Sequence, residues 1–328
     1  MDSQAREFRR QIEERLSDSV PGQAPGVREK TGCQIVHPLS LVGLRLIRDE
    51  GSRHASYDSG VQGAPRSSDV LIVVPTLGTR PEYLSETLAS IRDQDVPAGI
   101  VVVAPADATD ARSIAADFDA DVMDDPGSLT GAINTGVESA IDRYEFVNWL
   151  GDDDLLTPGS LAHTTRTLRA NPAATVAFGS CRYIDSAGRE LWVSSAGKWA
   201  PKILSWGPDL IPQPGMLVRT WAWRQVGGLD ESYRLAFDLD LLLKLQKLGP
   251  LLNTGTVVSC FRWHADSLTV DDRSTNIRES ERAKRAALSP GLRRWSWIWE
   301  PPVRAATRLA ANEVQRRARR LSGSSAPR

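Results

Sequence analysis

The sequence predicts an open α/β sheet wound with helices, and three observations carry that expectation. From Asp69 onward, short β-branched runs alternate with helical stretches, the pattern of strands and helices packed in layers. The runs Val70 to Val74 and Ile100 to Val103 are apolar, as buried strands require. A further run, Phe146 to Leu150, leads straight into Gly151, Asp152, Asp153 and Asp154, and the carboxyl ends of strands are where open α/β sheets bind ligands.

The elements follow in order. Residues 2–17 have a helical pattern of mixed charge, residues 37–49 are apolar enough to pack on something, and the Gly, Ser and Pro rich residues 52–69 read as a loop. We treat 1–68 as an N-terminal extension without an interpretable motif. A domain over 69–270 then begins with the strand at 70–74, a helix over 82–92, a strand over 100–103 and a helix over 111–118. A helix over 129–141 precedes the strand at 146–150, and another spans 160–169. Strands are expected at 175–184, 190–194, 216–219 and 257–263, with a helix near 238–248 closed by Gly249 as its C-cap. Residues 271–328 are expected to form a basic, Trp-containing helical tail.

Composition limits the function classes. Of 328 residues, 41% are hydrophobic and 25% charged, values of an ordinary globular protein. The formal net charge of -1 conceals 12 Lys and Arg against 3 Glu after residue 280. The charged start lacks the apolar core of a signal peptide, and no long apolar run suggests a membrane span, so a cytoplasmic location is expected. Cys33, Cys181 and Cys260 are far apart and form no CxxC pair, which argues against a disulfide framework or a zinc site.

Three clusters bear chemistry. Like charges at Asp152, Asp153 and Asp154 repel, and a hard divalent cation taking one or two carboxylates plus substrate phosphates would relieve them. A solvated acidic turn capping the next helix explains the tetrapeptide equally well. In residues 235–248, Asp238 and Asp240 interrupt an apolar run. Two residues correspond to about 200° of helix rotation, so only one of them can face a cleft while the other meets a structural partner. Compensation of the helix dipole by both acids is the alternative. In the third cluster, Phe261 to Thr269, Arg262 and the hydroxyls suit phosphate contact, and His264 reads either as a ligand or as a structural histidine.

Five segments in order resemble glycosyltransferase family 2: VVPTLGTRP at 73–81, GAINTG at 131–136, WLGDDDLLTPGSL at 149–161, VGGLDESYRLAFDLDLLLK at 226–244 and FRWHADSLT at 261–269. The resemblance implies a GT-A fold, a Rossmann-like open mixed sheet flanked by helices. It implies an inverting transfer of a sugar from a nucleotide-sugar donor to a glycan or lipid-linked glycan acceptor. By the same resemblance Pro75, Thr76, Arg80, Asp107 and Asn134 lie at the donor, with Asp152 and Asp153 near its ribose and sugar. Asp154, helped by His264, would hold Mg²⁺ or Mn²⁺, and Asp238 would be the general base.

The chain also departs from the family pattern. Only Asp107 stands where an acidic pair is usual, Ile133 replaces an Arg and Phe237 a Glu, which leaves open the donor's base. Two rival functions remain: a sugar-nucleotide nucleotidyltransferase, and an inactive sugar-nucleotide binder. The first calls for a Gly-rich basic loop after the first strand, where residues 77–81 offer only Gly78 and Arg80. The tail carries Arg293, Arg294, Trp295, Trp297 and Trp299, then six arginines between 304 and 320. That composition predicts peripheral binding of residues 293–320 to the anionic inner face of the cell membrane, with no nucleic-acid partner; the alternative is tryptophans packed on the domain and a solvated basic end.

Overall fold

The structure is a computed structural model in which residues 69–194, 197, 199–263 and 273–294 are described. The extension 1–68, the tail from 295, and His264 lie outside the described residues. The elements are β1 (Val70–Pro75), α1 (Pro81–Arg92), β2 (Ala98–Ala104), α2 (Thr109–Asp117), β3 (Asp121–Asp124), α3 (Leu129–Glu138), β4 (Phe146–Trp149), β5 (Leu155–Leu156), α4 (Ser160–Ala170), β6 (Val176–Ile184), β7 (Glu190–Val193), α5 (Ala200–Ile203), β8 (Leu217–Arg219), α6 (Thr220–Val226), α7 (Phe237–Leu248), β9 (Leu251–Arg262), α8 (Arg273–Ala287) and α9 (Pro290–Arg293).

One mixed sheet runs β3-β2-β1-β4-β8-β6-β9-β5, with β7 beside β6. Its first four strands are parallel, Val70 lying between Ala98 and Phe146. Beyond them β8 is antiparallel to both β4 and β6, β9 is parallel to β6, and β5 is antiparallel to β9. Alternation along β1 separates the two cores: Val70, Ile72 and Val74 join Leu84, Leu88 and Ile91 of α1, while Leu71 and Val73 join Ile133 and Val137 of α3. A strand buried on both faces has to be apolar at every position, which is why β1 reads as a continuous run.

The parallel half follows the expected boundaries closely. Three differences have physical reasons. Strand β3, Asp-Val-Met-Asp, is an exposed edge with too few apolar residues to be recognised. Strand β9 starts at Leu251, six residues before the expected 257, because its polar first half pairs with β6 at Leu251, Leu252 and Asn253. The segment after 271, expected as a tail, begins with α8, whose Ala283 belongs to the core beneath α7. Gly249 does end α7, in extended backbone at φ -179°; a Cβ there would stand 2.1 Å from the Ala173 carbonyl oxygen, so close approach selects glycine. Cys181 and Cys260 are free thiols in the interior. Among the described residues no helix is long and apolar enough to cross a membrane.

Candidate active site

The parallel register brings the ends of β1, β2 and β4 to one edge, where Pro75 pairs with Val103 and Val73 with Trp149. Three loops leave that edge, and the loop after β4 carries the acidic triplet. The β1 loop binds it directly. Thr76 Oγ1 donates to Asp152 Oδ2 at 2.6 Å. Arg80 spans two carboxylates, with Nη2 2.7 Å from Asp152 Oδ1 and Nη1 2.6 Å from Asp153 Oδ2. Charge-assisted bonds of this length are among the stronger polar contacts in proteins. Thr76 and Arg80, expected at the donor, therefore orient the acids that would meet it, and Pro75 is the buried last residue of the strand.

Asp154 turns toward the sheet. Its Oδ1 accepts the Arg262 amide at 3.1 Å, and its own carbonyl accepts Thr87 Oγ1 at 2.8 Å. Burial first, and then the Asp153 carboxylate, hold the Asp154 carboxyl well above its ordinary range. Asp154 Oδ2 and Asp153 Oδ1 lie 3.2 and 3.0 Å from where a Cβ on Gly151 would sit, so a side chain at 151 would intrude on both.

Arg262 is the residue whose role changes most between sequence and structure. Expected as a phosphate contact, it is 2% exposed and points inward. Strand register explains this: β5 and β9 are antiparallel with Leu155 opposite Cys260, so continuing two residues sets Arg262 against Asp153. Its Nε donates to the Asp153 carbonyl at 3.1 Å, Nη1 to the Ser186 carbonyl at 3.2 Å, and Nη2 to Glu86 at 2.5 Å. The guanidinium also lies 4.2 Å from the Tyr83 ring centre, an attraction that strengthens out of water. Arg262 thus ties β9 and α1 to the triplet's backbone.

Across the first turn of α7 the two aspartates separate as helical rotation requires. Asp240 is 5% exposed and pairs with Lys244 Nζ at 2.7 Å. Asp238 is half-buried, its Oδ1 accepting the Leu239 amide at 2.7 Å, and burial pushes its carboxyl up to about 6. A neighbour the sequence did not disclose is Asp209, on the loop between α5 and β8. Desolvation and the Asp238 carboxylate push Asp209 up to about 7, although the residue as a whole keeps solvent contact. A carboxyl that raises its neighbour is a common arrangement where protons are exchanged near neutral pH.

Asn134 is committed elsewhere than expected. Its side chain donates to the Leu229 carbonyl at 2.9 Å and accepts the Leu229 amide at 3.0 Å, locking α3 to the loop before α7. Gly228 makes this possible, with φ +71° and no room for a Cβ, which would be 2.8 Å from Asn134 Oδ1. Asp107 is exposed on the loop after β2. Gln213, on the loop before β8, donates to the Trp149 carbonyl at 2.7 Å just before the triplet.

Among the described residues, no group of three or more His, Cys, Asp and Glu side chains comes together as a metal cage. The chemistry of the Asp154 carboxylate, with Asp153 next to it in the chain, fits a different ligand set, one or two carboxylates completed by substrate oxygens, which Mg²⁺ commonly uses.

No protein-family model matches the chain. The O-antigen biosynthesis protein RfbC of Myxococcus xanthus is 30% identical over 126 residues, which make up 37% of this chain and 9% of that much longer protein. Among solved structures, S. aureus TarS 1-349 in complex with UDP-GlcNAc superimposes with a TM-score of 0.54 at 16% identity, covering 69% of each chain. Mannosyltransferase PcManGT from Pyrobaculum calidifontis, in complex with GDP-Man and Mn²⁺, gives 0.51 at 17% identity over 76% of this chain and 79% of its own. The fold is that of GT-A glycosyltransferases, a curled open mixed sheet flanked by helices.

Proposed function

We propose that the chain transfers a sugar from a nucleoside-diphosphate donor to an acceptor hydroxyl with inversion, and that it works in the synthesis of a cell-surface polysaccharide or glycolipid. The observation that carries the reading is the acidic triplet at the end of β4, clamped by Thr76, Arg80 and Arg262 in a fold shared with proteins solved with UDP-GlcNAc and GDP-Man. The likeness to RfbC supports the polysaccharide setting.

Asp154 would hold the divalent cation, with His264 as the further ligand the sequence suggests and Asp153 beside it toward the donor. When bound, the cation stabilises charge growing on the leaving diphosphate. Asp152, fixed by Thr76 and Arg80, faces the donor beside them. Asp238 accepts the acceptor's hydroxyl proton while the new C–O bond forms at the anomeric carbon and the bond to the diphosphate breaks. A carboxyl titrating near 6 is ionised at neutral pH yet basic enough to take that proton. Arg80 is engaged with carboxylates, which disfavours a nucleotidyltransferase, since that chemistry needs a basic loop directed at a triphosphate. The tail 293–320 would bring the enzyme to an anionic membrane carrying a lipid-linked acceptor.

The test is nucleoside diphosphate release by the full chain from a panel of UDP-, GDP- and dTDP-sugars, with Mn²⁺, Mg²⁺ or chelator. Metal-dependent release from one donor is expected. Release at the blank rate from every donor, with acceptor extracts supplied, refutes transfer.

A further inference from the structure

Helix α7 begins without a cap of its own. Ala236 stands at the N-cap position, where its side chain can accept no amide, although Asp238 Oδ1 accepts the Leu239 amide within the first turn. The residues that lead into the helix are held from α8, more than forty residues later in the chain. Glu279 Oε2 accepts the amides of Leu235 at 2.8 Å, Ala236 at 3.0 Å and Arg234 at 3.1 Å, and Oε1 accepts Arg234 at 3.1 Å as well. Burial would raise this carboxyl, but the amides outweigh it and hold Glu279 below its ordinary range.

The same helix grips the surroundings of that loop at two further points. Arg282 donates to the Ser232 carbonyl at 2.7 Å and lies 3.8 Å from the Tyr233 ring centre. Lys284 Nζ donates to the Gly207 carbonyl at 2.5 Å, two residues before Asp209. One turn and a half of α8 therefore touches both loops that lead to the carboxyl pair, the one entering α7 at Asp238 and the one carrying Asp209. On the donor side, Thr76 and Arg80 direct their bonds to Asp152 and Asp153 instead.

We propose that Glu279 is a positioning residue that holds the turn entering α7, residues 234–236, from α8 and so sets the place of Asp238, leaving donor binding to the other half of the site. This rests on the transfer reading above. It makes the segment after residue 271 part of the catalytic apparatus.

The full chain carrying Glu279→Ala, and separately Glu279→Gln, decides it by three measurements. In Glu279→Ala, kcat for diphosphate release should fall at least tenfold while the affinity for nucleoside diphosphate with Mn²⁺, measured by calorimetry, stays within twofold. Glu279→Gln keeps an acceptor oxygen and should recover kcat to within about threefold of wild type. Amide exchange at residues 234–239 should quicken at least tenfold in Glu279→Ala and much less in the Gln variant. An unchanged kcat in Glu279→Ala overturns the proposal, and so does a parallel loss of kcat and nucleotide affinity, the mark of a merely structural role. If wild type itself releases no diphosphate, the transfer reading has failed, and exchange alone then judges the hold on the turn; unaltered exchange in Glu279→Ala overturns it.

Discussion

Replacing Asp238 with Asn should destroy transfer and at the same time make the protein more stable. Ionising Asp238 in the fold is unfavourable, because burial lifts its carboxyl from an ordinary 3.8 to about 6. A group raised in this way contributes its full stability below its unfolded value, and that contribution is lost as pH rises through the folded value. The difference corresponds to about 3 kcal/mol above pH 7, at 1.36 kcal/mol for each tenfold change in acidity. Partial exposure and the shared titration with Asp209 reduce it to about 1 to 3 kcal/mol. Asparagine removes the ionisation but keeps the oxygen that accepts the Leu239 amide. Thermal unfolding at pH 8 should therefore rise by roughly 3 to 10 °C in Asp238→Asn. At pH 4.5, where the native carboxyl is already protonated, about a third of that gain should remain. Transfer should be nearly abolished with nucleoside diphosphate binding intact, and wild-type kcat should decline below about pH 6. A melting temperature at or below wild type at pH 8, or a gain of the same size at both pH values, refutes the reasoning about burial; near-normal transfer refutes the base assignment.

Three other outcomes follow from the geometry. Asp240→Asn should cost about 1 kcal/mol or less in denaturant unfolding, since its partner Lys244 is one-third exposed, and should leave transfer within about threefold of wild type. Arg262→Met should lower stability by about 2 kcal/mol, because it strands the Asp153 carbonyl while the partly exposed Glu86 can regain water; it should also raise the Mn²⁺ concentration needed for half-maximal diphosphate release, and an unaltered metal requirement would show that Arg262 does not hold the triplet. Flotation with anionic liposomes should carry the full chain but not a form ending at Pro290, and recovery of both in the soluble fraction at low salt would exclude the tail as an anchor.

Much of the parallel half was legible because its signals are local. Strands β1 and β2 are apolar runs whose burial on both faces leaves no alternation to misread, and the acids follow the end of β4 after two intervening residues. The 200° between Asp238 and Asp240 likewise follows from helix geometry, which any short stretch of sequence contains. The carboxyl-end location of the triplet, and the turning of the two α7 aspartates to different sides, were in that sense determined by sequence alone.

What only the tertiary structure decided are the pairings across long separations. Arg262 sits in a polar segment that looks suited to phosphate, and nothing within it says that its register against β5 turns the guanidinium toward a carbonyl 109 residues earlier. Asn134 meets Leu229 across 95 residues because a glycine at 228 admits it. Glu279 lies in a strongly polar stretch that reads as tail, yet it accepts the amides of the turn that enters α7. Periodicity and composition describe how a segment satisfies itself, whereas a buried donor or acceptor takes whichever partner the assembled sheet and helices bring within 3 Å.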